Sequence, residues 1–308
     1  MIGIVVVNWN SGGQLRNCID SIQQCKVASP YNIVVVDNAS TDGSDLTIKS
    51  GSSLKLVRAN GNIGFGRACN QGAKQVEGKY LLFLNPDAVL YPETLQKALA
   101  YMEDVASDGV GICGVQLLDD SGHVTRSCAR FPSPVDLVIH SAGLDRIFKG
   151  LGYVMSDWSH AHTQKVDHVI GAFFMVRREV FEVLNGFDER FFLYLEDLDF
   201  SYRAHQAGWQ SVYLADVQAF HAGGGTSNQI KALRLFYSMR SRLLYAFKHH
   251  SWAGATAVML TTLLIEPLTR SAMMILVYPS WQGLKDTWVA YVMLWRWLPK
   301  LPSAGGLR

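Results

Sequence analysis

The apolar positions of this chain fall in short runs early and in long stretches late. Residues 4–7 (Ile-Val-Val-Val) form a continuous β-branched run, the pattern of a parallel strand covered on both faces. Leu15, Cys18, Ile19 and Ile22 then recur at helical spacing, so a helix with one apolar face follows. Before it, Ser11-Gly12-Gly13-Gln14 reads as a capping box. Residues 32–36 and 54–58 read as the second and third strands, and Phe65, Ala68, Cys69, Ala73 and Val76 mark the next helix. The run Tyr80-Leu81-Leu82-Phe83-Leu84 is the fourth strand. It stops at Asn85-Pro86-Asp87, because proline has no N–H to give a sheet.

Pro92 then opens a helix from its favoured first-turn place, with Leu95, Leu99 and Met102 on one face. Residues 110–117 are a strand, and Asp119-Asp120-Ser121-Gly122 a hairpin turn. From about 123 to 165 the pattern is irregular, with Pro132, Pro134, Gly143, Gly150 and Gly152. A loop region this long is usually functional, and here it is expected to help shape an acceptor pocket. Order returns over residues 166–176. A helix over 178–184 closes at Asn185-Gly186, another runs from about Glu196 to Gly208, and residues 210–214 are the last strand. Strands alternating with helices predict an α/β fold around a mixed, mostly parallel sheet.

Beyond residue 229 the pattern changes. A basic amphipathic helix is expected over about 230–249, with Leu235, Met239, Leu243 and Phe247 as its apolar row and Lys231, Arg234, Arg242 and Lys248 among its polar positions. Residues 253–265 and 272–281 are apolar, and Glu266-Pro267 interrupts them. Neither piece reaches the roughly 20 residues a span needs, so two helices lying in or dipping into a membrane interface are expected. Trp252, Trp281, Trp288, Trp295 and Trp297 suit a headgroup layer. A helical lid over the core, or a dimer interface, would leave the same pattern.

Charge bears on that choice. From Lys231 onward ten Lys/Arg face only Glu266 and Asp286, a net +8 in a chain whose total is +2, which leaves −6 on the first 230 residues. A basic, apolar tail on an acidic body points to an anionic membrane surface rather than to nucleic acid. Two regions are therefore predicted, 1–229 and 230–308. The five cysteines are odd in number and lack metal-type spacing, so they read as buried thiols in a reducing compartment. The N-terminal run reads as a first strand rather than a signal peptide, which sets the expectation of a protein in the cytosol or on the cytosolic face of a membrane.

Candidate chemistry gathers at strand ends. Asp87 follows the carboxyl end of a central strand, where open α/β sheets bind ligands. A carboxylate there, with the Asn85 amide two residues before it, suits a hard divalent cation carrying a diphosphate. Asp37 ends the second strand and can hydrogen-bond a ribose or a base edge. The alternative is a solvated turn, since residues 37–44 are rich in turn formers. The segment 60–70 is glycine-rich, but glycines at 61, 64 and 66 do not make a dinucleotide fingerprint. Its N–H groups could face a phosphate, or its glycines could serve close packing. Glu196, Asp197 and Asp199 crowd the first turn of a helix, where the helix dipole favours carboxylates; the functional reading makes Asp197 a base. His221 lies beside Gly223-Gly224-Gly225, either as a structural hydrogen-bonder or close to a ligand.

Taken together these pieces resemble the family 2 glycosyltransferases, and within them the bacterial rhamnosyltransferase branch. The likeness runs from residue 1 to about 227. It is carried by Val7-Asn8-Trp9-Asn10, the turn Val36-Asp37-Asn38-Ala39-Ser40-Thr41-Asp42, Asn62-Ile63-Gly64-Phe65-Gly66 and Leu84-Asn85-Pro86-Asp87. Further on come Gly171-Ala172-Phe173-Phe174-Met175-Val176-Arg177, Asn185-Gly186-Phe187-Asp188-Glu189, and Glu196-Asp197-Leu198-Asp199 with Arg203. The resemblance implies a GT-A fold and a nucleotide-sugar donor site that includes Val7, Asn8, Asn10, Asp37, Asn38, Ser40, Asn62, Gly64, Arg67, Asn85 and Asp87. Asp87 would be the surviving carboxylate of the family's D-x-D motif, with Asn85 in place of its first Asp, and would hold Mg²⁺ or Mn²⁺ together with His221. Asp197 would be the catalytic base with Glu196 beside it, and Gly171 and Ala172 would face the acceptor.

By the same resemblance the donor is dTDP-L-rhamnose and the acceptor a polyprenyl-diphosphate-linked saccharide. Transfer would be inverting and would serve surface-polysaccharide assembly on the cytoplasmic face of the inner membrane. Two other classes are weighed. A sugar-1-phosphate nucleotidyltransferase would want a basic residue in the glycine-rich loop after the first strand, where this chain has Gly12-Gly13 and only Arg16. A non-catalytic membrane scaffold would not need Asp37, Asp87, Asp197 and His221 together.

Overall fold

The computed structural model describes residues 1–148, 150–155, 157–223 and 230–301. Its strands are β1 (Ile2–Asn8), β2 (Tyr31–Asp37), β3 (Leu54–Arg58), β4 (Tyr80–Leu84), β5 (Ala88–Leu90), β6 (Val110–Leu118), β7 (Cys128–Ala129), β8 (Gln164–Val166), β9 (His168–Val169), β10 (Phe173–Arg177) and β11 (Gln210–His221). The helices are α1 (Gln14–Gln23), α2 (Phe65–Ala73), α3 (Thr94–Glu103), α4 (Pro134–Ala142), α5 (Arg178–Val183), α6 (Glu196–Gln206) and α7 (Lys231–His249), then α8 (Trp252–Val277) and α9 (Trp281–Trp297).

The chain divides into two compact units. The first takes Met1–Ala129, Ser159–Glu189 and the run from Glu196 through β11; the second takes Arg130–Trp158, Arg190–Leu195 and the C-terminal helices.

The first unit is built on one sheet, in the order β3-β2-β1-β4-β10-β6-β11-β5, with β8 alongside β11. Strands β1 to β4 are parallel. Direction reverses at β10, which is antiparallel to both β4 and β6. The predicted mixed, mostly parallel α/β sheet is what forms. Every residue of β1 is buried, as two-sided cover demands. One face of β1 gives Ile2, Ile4 and Val6 to a core that also takes Leu15, Cys18, Ile19 and Ile22 of α1. Each such side chain contributes roughly 1.5–3 kcal/mol on leaving water. On β1 and β2 lies α2, so close that a Cβ at Gly72 would overlap Val5. All five cysteines are buried free thiols.

A second cluster forms where β4, β10, α5 and α6 meet. Phe187 sits with its ring centroid 4.9 Å from Phe83 and 5.2 Å from Phe200, and Phe200 stands 5.8 Å from Phe174 and 5.7 Å from Phe181. Edge and tilted contacts of this kind add to area burial. They hold the first turns of α6 to the sheet. Nearby, Arg177 is a buried cation that pairs with no carboxylate among the described residues. Its guanidinium donates to the carbonyls of Val110 at 2.7 Å, Met102 at 2.9 Å and Ser107 at 3.0 Å.

Several local expectations change. Ser11 does not cap α1: its hydroxyl donates to Asn8 Oδ1, and the helix starts at Gln14 with Gly13 as an N-cap lacking a side-chain bond. Pro92 lies just outside α3, whose N-cap is Glu93. The irregular region 123–165 contains α4, which begins with a capping box between Ser133 and Asp136 and has Pro134 in its first turn. That signal stood in the sequence and was masked by the surrounding prolines and glycines.

The second unit packs α4 and α7 against α8, and α9 against α7. Pro267 does not break the apolar stretch. Residues 252–277 form one helix of 26 residues, long and apolar enough by length and composition to cross a membrane. The helix widens into a π turn over Thr261–Ile265, directly before Glu266-Pro267; such a bulge lets a helix absorb a proline it could not take in regular α geometry. Glu266 is likewise accommodated. It is fully buried and paired to Arg242 on one side and to Arg270, at 2.7 Å, on the other. Arg242 is therefore a core residue of this unit, not part of the polar face of α7. Of the five tail tryptophans, Trp297 is buried under Arg240, while Trp281 is 86% exposed.

The Arg177 cluster yields a stability prediction. Arg177→Ala removes the guanidinium from the carbonyls of Val110, Ser107 and Met102, of which Met102 keeps the Tyr80 hydroxyl at 3.0 Å, so denaturant unfolding should report a loss of roughly 3 kcal/mol. Arg177→Lys should recover only part of it. A loss within about 0.5 kcal/mol for both would mean that water replaces the guanidinium at no cost.

Candidate active site

Parallel pairing puts Asn8 beside Asp37, the last residues of β1 and β2. Asn8 is fully buried, and its amide donates to Asp37 Oδ1 at 2.8 Å, Ser44 Oγ at 2.9 Å and Ser40 Oγ at 3.0 Å. Asp37 Oδ2 accepts from the Ser40 N–H at 3.2 Å. Asn8 therefore acts by tying the two strand-end loops together, and Asp37 is the buried anchor of the second loop. Asn10 holds left-handed backbone at φ 51° and accepts from the Thr41 N–H at 2.7 Å. Asn38 reaches the glycine-rich loop: it donates to Asn62 Oδ1 at 3.0 Å and accepts from the Ile63 N–H at 2.8 Å.

Gly64 supplies the start of α2 with φ 88°, a conformation a side chain would strain. Val7 is buried in β1, and Arg67 is exposed in an ion pair with Glu189 at 3.3 Å. Gly66, in the first turn of α2, serves packing, since a Cβ there would meet Phe187 at 3.3 Å and Glu196 at 3.4 Å.

Three chain segments meet where the sheet changes direction. The Asn85 N–H donates to the Ala172 carbonyl at 3.1 Å, so the end of β4 touches the start of β10. One residue earlier, the Gly171 N–H donates to Asp197 Oδ2 at 2.7 Å. From the other side β11 brings His221 to β5: His221 Nε2 lies 3.2 Å from Asp87 Oδ1 and 3.4 Å from Asn85 Nδ2. Asn85, Asp87, Gly171, Ala172, Asp197 and His221 are thus assembled at one sheet edge. Of the triple glycine after His221, Gly223 has φ 67°, and Gly224 and Gly225 lie outside the described residues.

Asp197 sits in the first turn of α6, where its Oδ1 accepts from the Leu198 N–H at 2.8 Å. The preceding Tyr194 and Leu195 both hold left-handed backbone, at φ 69° and 64°. Non-glycine residues in that region carry strain of order 1–3 kcal/mol each and gather at functional sites. A Cβ at Gly171 would sit 3.3 Å from the same carboxylate's Oδ2, a tight contact that would press on Asp197. Asp199 is turned away, fully buried and paired with Arg203 at 2.8 Å.

Glu196 is buried, and its Oε2 has no hydrogen-bond partner among the described residues. Burial, then the neighbouring Asp197 charge, pushes Glu196 well above the usual carboxylate range. His168 is a site residue that pattern reading missed. Its Nε2 lies 3.8 Å from Asp197 Oδ2, and its Nδ1 lies 3.2 Å from Ser201 Oγ. Burial lowers its pKa while Asp197 opposes the shift. The signal in the sequence was a histidine, directly after Asp167, at the head of the apolar run 169–176.

Asp87 and His221 fit a divalent ion. Their 3.2 Å separation matches the roughly 3 Å between adjacent ligands of one octahedral ion with bonds of about 2.1 Å. Among the described residues no cluster of three or more His, Cys, Asp or Glu exists that could hold a metal. An ion here would rest on two protein ligands and take its other positions from substrate oxygens and water.

Fold and site together define a glycosyltransferase with a GT-A-type sheet. The chain belongs to the glycosyl transferase family 2, whose model matches residues 3–184. It is 26% identical over 275 residues to the N-acetylglucosaminyl-diphospho-decaprenol L-rhamnosyltransferase of Mycobacterium tuberculosis, covering 82% of this chain and 86% of that one. It is 27% identical over 232 residues to the rhamnosyltransferase WbbL of Escherichia coli K12, covering 72% and 82% respectively. Among solved structures, the mannosyltransferase PcManGT of Pyrobaculum calidifontis, in complex with GDP-Man and Mn²⁺, superposes with a TM-score of 0.55 at 17% identity over 96% of this chain and 86% of that one. Residues 1–349 of S. aureus TarS, in complex with UDP-GlcNAc, give 0.53 at 20% identity over 98% and 86%.

The Glu196 environment predicts a pH dependence. A carboxyl whose folded pKa is raised binds its proton more tightly in the native state. Its stabilising contribution is complete below the ordinary glutamate value and is lost as pH rises through the raised folded value. Glu196→Gln keeps the neutral form at every pH. Thermal unfolding should find it equal to the parent near about pH 4 and relatively more stable as pH is raised toward about 8. Parallel pH profiles for the two proteins would show that Glu196 ionises without cost.

Proposed function

We propose that this protein is an inverting glycosyltransferase that moves L-rhamnose from dTDP-L-rhamnose to a hydroxyl of a polyprenyl-diphosphate-linked saccharide. The observation that carries the reading is the junction at the sheet edge. A carboxylate pinned by the Gly171 N–H stands on the same strand-reversal point as the Asp87–His221 pair. One side of that junction suits a proton acceptor, and the other suits a leaving diphosphate. The rhamnosyl and lipid-linked parts of the reading are supported by the names of the relatives from M. tuberculosis and E. coli.

In this reading the loops after β1, β2 and β3 hold the nucleoside. Asp37 and Asn8 set the loop geometry, and Asn38 couples it to Asn62 and the glycine-rich turn. Val7, Asn10, Ser40, Gly64 and Arg67 belong to the same donor side, and Asn85 lies between it and Asp87. A divalent cation held by Asp87 and His221 would supply positive charge opposite the departing diphosphate. Asp197 accepts the proton of the acceptor hydroxyl as that oxygen attacks the anomeric carbon. The backbone of Gly171 and Ala172 forms the acceptor-side wall. Glu196, held neutral, keeps a second negative charge away from the base, and His168 steadies the Asp197 carboxylate from behind.

The tail agrees with a place at the cytoplasmic face of the inner membrane. It carries the net positive charge of the chain, and α8 exposes Leu264 at 62%, Leu268 at 66% and Leu276 at 78%. Exposed apolar side chains beside cations suit an anionic bilayer surface.

Two outcomes are expected. Asp197→Asn keeps the side-chain shape and one of the two accepted N–H bonds but cannot take a proton, so turnover should fall by about 10²–10⁴ while calorimetry still finds donor binding. Turnover within a few-fold of the parent would remove Asp197 from the role. Separately, the whole protein should float with phosphatidylglycerol vesicles in a density gradient, and Leu264→Asp/Leu268→Asp/Leu276→Asp should stay at the bottom. A parent protein that does not float would overturn the membrane part.

A further inference from the structure

The second unit contains a cavity of about 330 Å³ lined by Tyr194, Lys231, Arg234, Leu235, Ser238 and Arg270. Lys231, Arg234, Leu235 and Ser238 fall at i, i+3, i+4 and i+7 of α7, so one helix face presents two cations and a hydroxyl to the same space. Arg270 comes from α8. Among the described residues three cations and two hydroxyl groups line this cavity, and no carboxylate does. The acid closest in sequence to Arg270 is Glu266, whose carboxylate is buried between Arg242 and Arg270 and shared by both. That trio keeps a net charge of +1.

The placement of Lys231 and Arg234 runs against helix electrostatics. They occupy the beginning of α7, which has no acidic residue in its first turn and no side-chain cap at Ile230. Cations at the positive end of a helix dipole are unfavourable unless an anion joins them. Lys231 makes no ion pair among the described residues, while Arg234 Nε donates to Tyr194 OH at 3.1 Å. The helix that supplies Arg270 also exposes Leu264, Leu268 and Leu276. An anionic head of high charge density on an apolar tail meets both features.

We propose that this cavity binds the diphosphate of the lipid-linked acceptor. The proposal rests on the reading that the acceptor is lipid-linked and goes beyond it by assigning the residues. Lys231, Arg234 and Arg270 neutralise the diphosphate, Ser238 donates to one of its oxygens, and Tyr194 orients Arg234. Tyr194 precedes Asp197 by three residues in the chain.

The test uses the full chain in detergent micelles. Calorimetric titration compares geranylgeranyl diphosphate with inorganic pyrophosphate for the parent and for Lys231→Gln/Arg234→Gln, two changes at partly exposed helix positions. The expected result is binding of geranylgeranyl diphosphate at least tenfold tighter than inorganic pyrophosphate, lowered at least tenfold in the variant. In the transfer assay the variant should show a KM at least tenfold higher for polyprenyl-diphosphate-linked N-acetylglucosamine, with the donor KM unchanged. Equal lipid affinity and equal acceptor KM in the two proteins would overturn the assignment. Pyrophosphate binding as tight as the lipid would mark a free-anion site and overturn it too. The underlying reading has its own control: a parent protein that uses water-soluble N-acetylglucosamine as well as the lipid-linked form has no lipid-linked specificity. A parent that prefers the lipid while the variant matches it leaves that reading standing and removes only the pocket.

Discussion

The site depends on one reversal of strand direction. Four parallel strands alone would deliver Asn8, Asp37, Arg58 and Asn85 to one edge and nothing to face them. Because β10 pairs antiparallel to β4, its first residues lie against the last residues of β4. The bond from the Asn85 N–H to the Ala172 carbonyl locks that register. A one-residue slip would turn every side chain of β10 to the opposite face, undo the phenylalanine cluster and carry Gly171 away from Asp197. The geometry of the candidate site and core packing are therefore specified by the same register.

From that register follows a division of labour. The aromatic cluster around Phe187 and Phe200 fixes where α6 begins. The left-handed pair Tyr194 and Leu195 sets how the chain enters it. The Gly171 N–H then holds the Asp197 carboxylate, and burial beside it pushes the Glu196 carboxyl well above the usual range. On the far side, β11 is a long strand whose last residue, His221, is brought against Asp87 through its pairing with β5.

Much of this was legible in the residues themselves. The β-branched run of β1, the stop at Asn85-Pro86-Asp87 and the helix from Glu196 follow from periodicity and proline chemistry, which act locally. The assembly of Asp87 with His221 was anticipated only through family resemblance, because 134 positions separate them and no local rule joins them. Asn8 illustrates another limit: sequence marks it as a strand-end residue but cannot tell a ligand contact from a buried tie between loops. His168 was invisible for the same reason, since its meaning lies in a contact with a helix thirty residues away. In the tail, hydropathy alone split α8 at Glu266-Pro267, whereas a π turn and a buried Arg–Glu–Arg arrangement keep it whole.

The account is tested most directly by the stereochemistry of the product. The full-length protein would be given Mg²⁺ or Mn²⁺, polyprenyl-diphosphate-linked N-acetylglucosamine and a panel of dTDP-, UDP- and GDP-sugars, and the new linkage read by NMR. A single base at Asp197 and a displaced diphosphate predict transfer from one preferred donor, dTDP-L-rhamnose, with inversion at the anomeric carbon. Retention of configuration would require a nucleophile that this arrangement does not assign and would contradict the account, as would the absence of transfer from every donor.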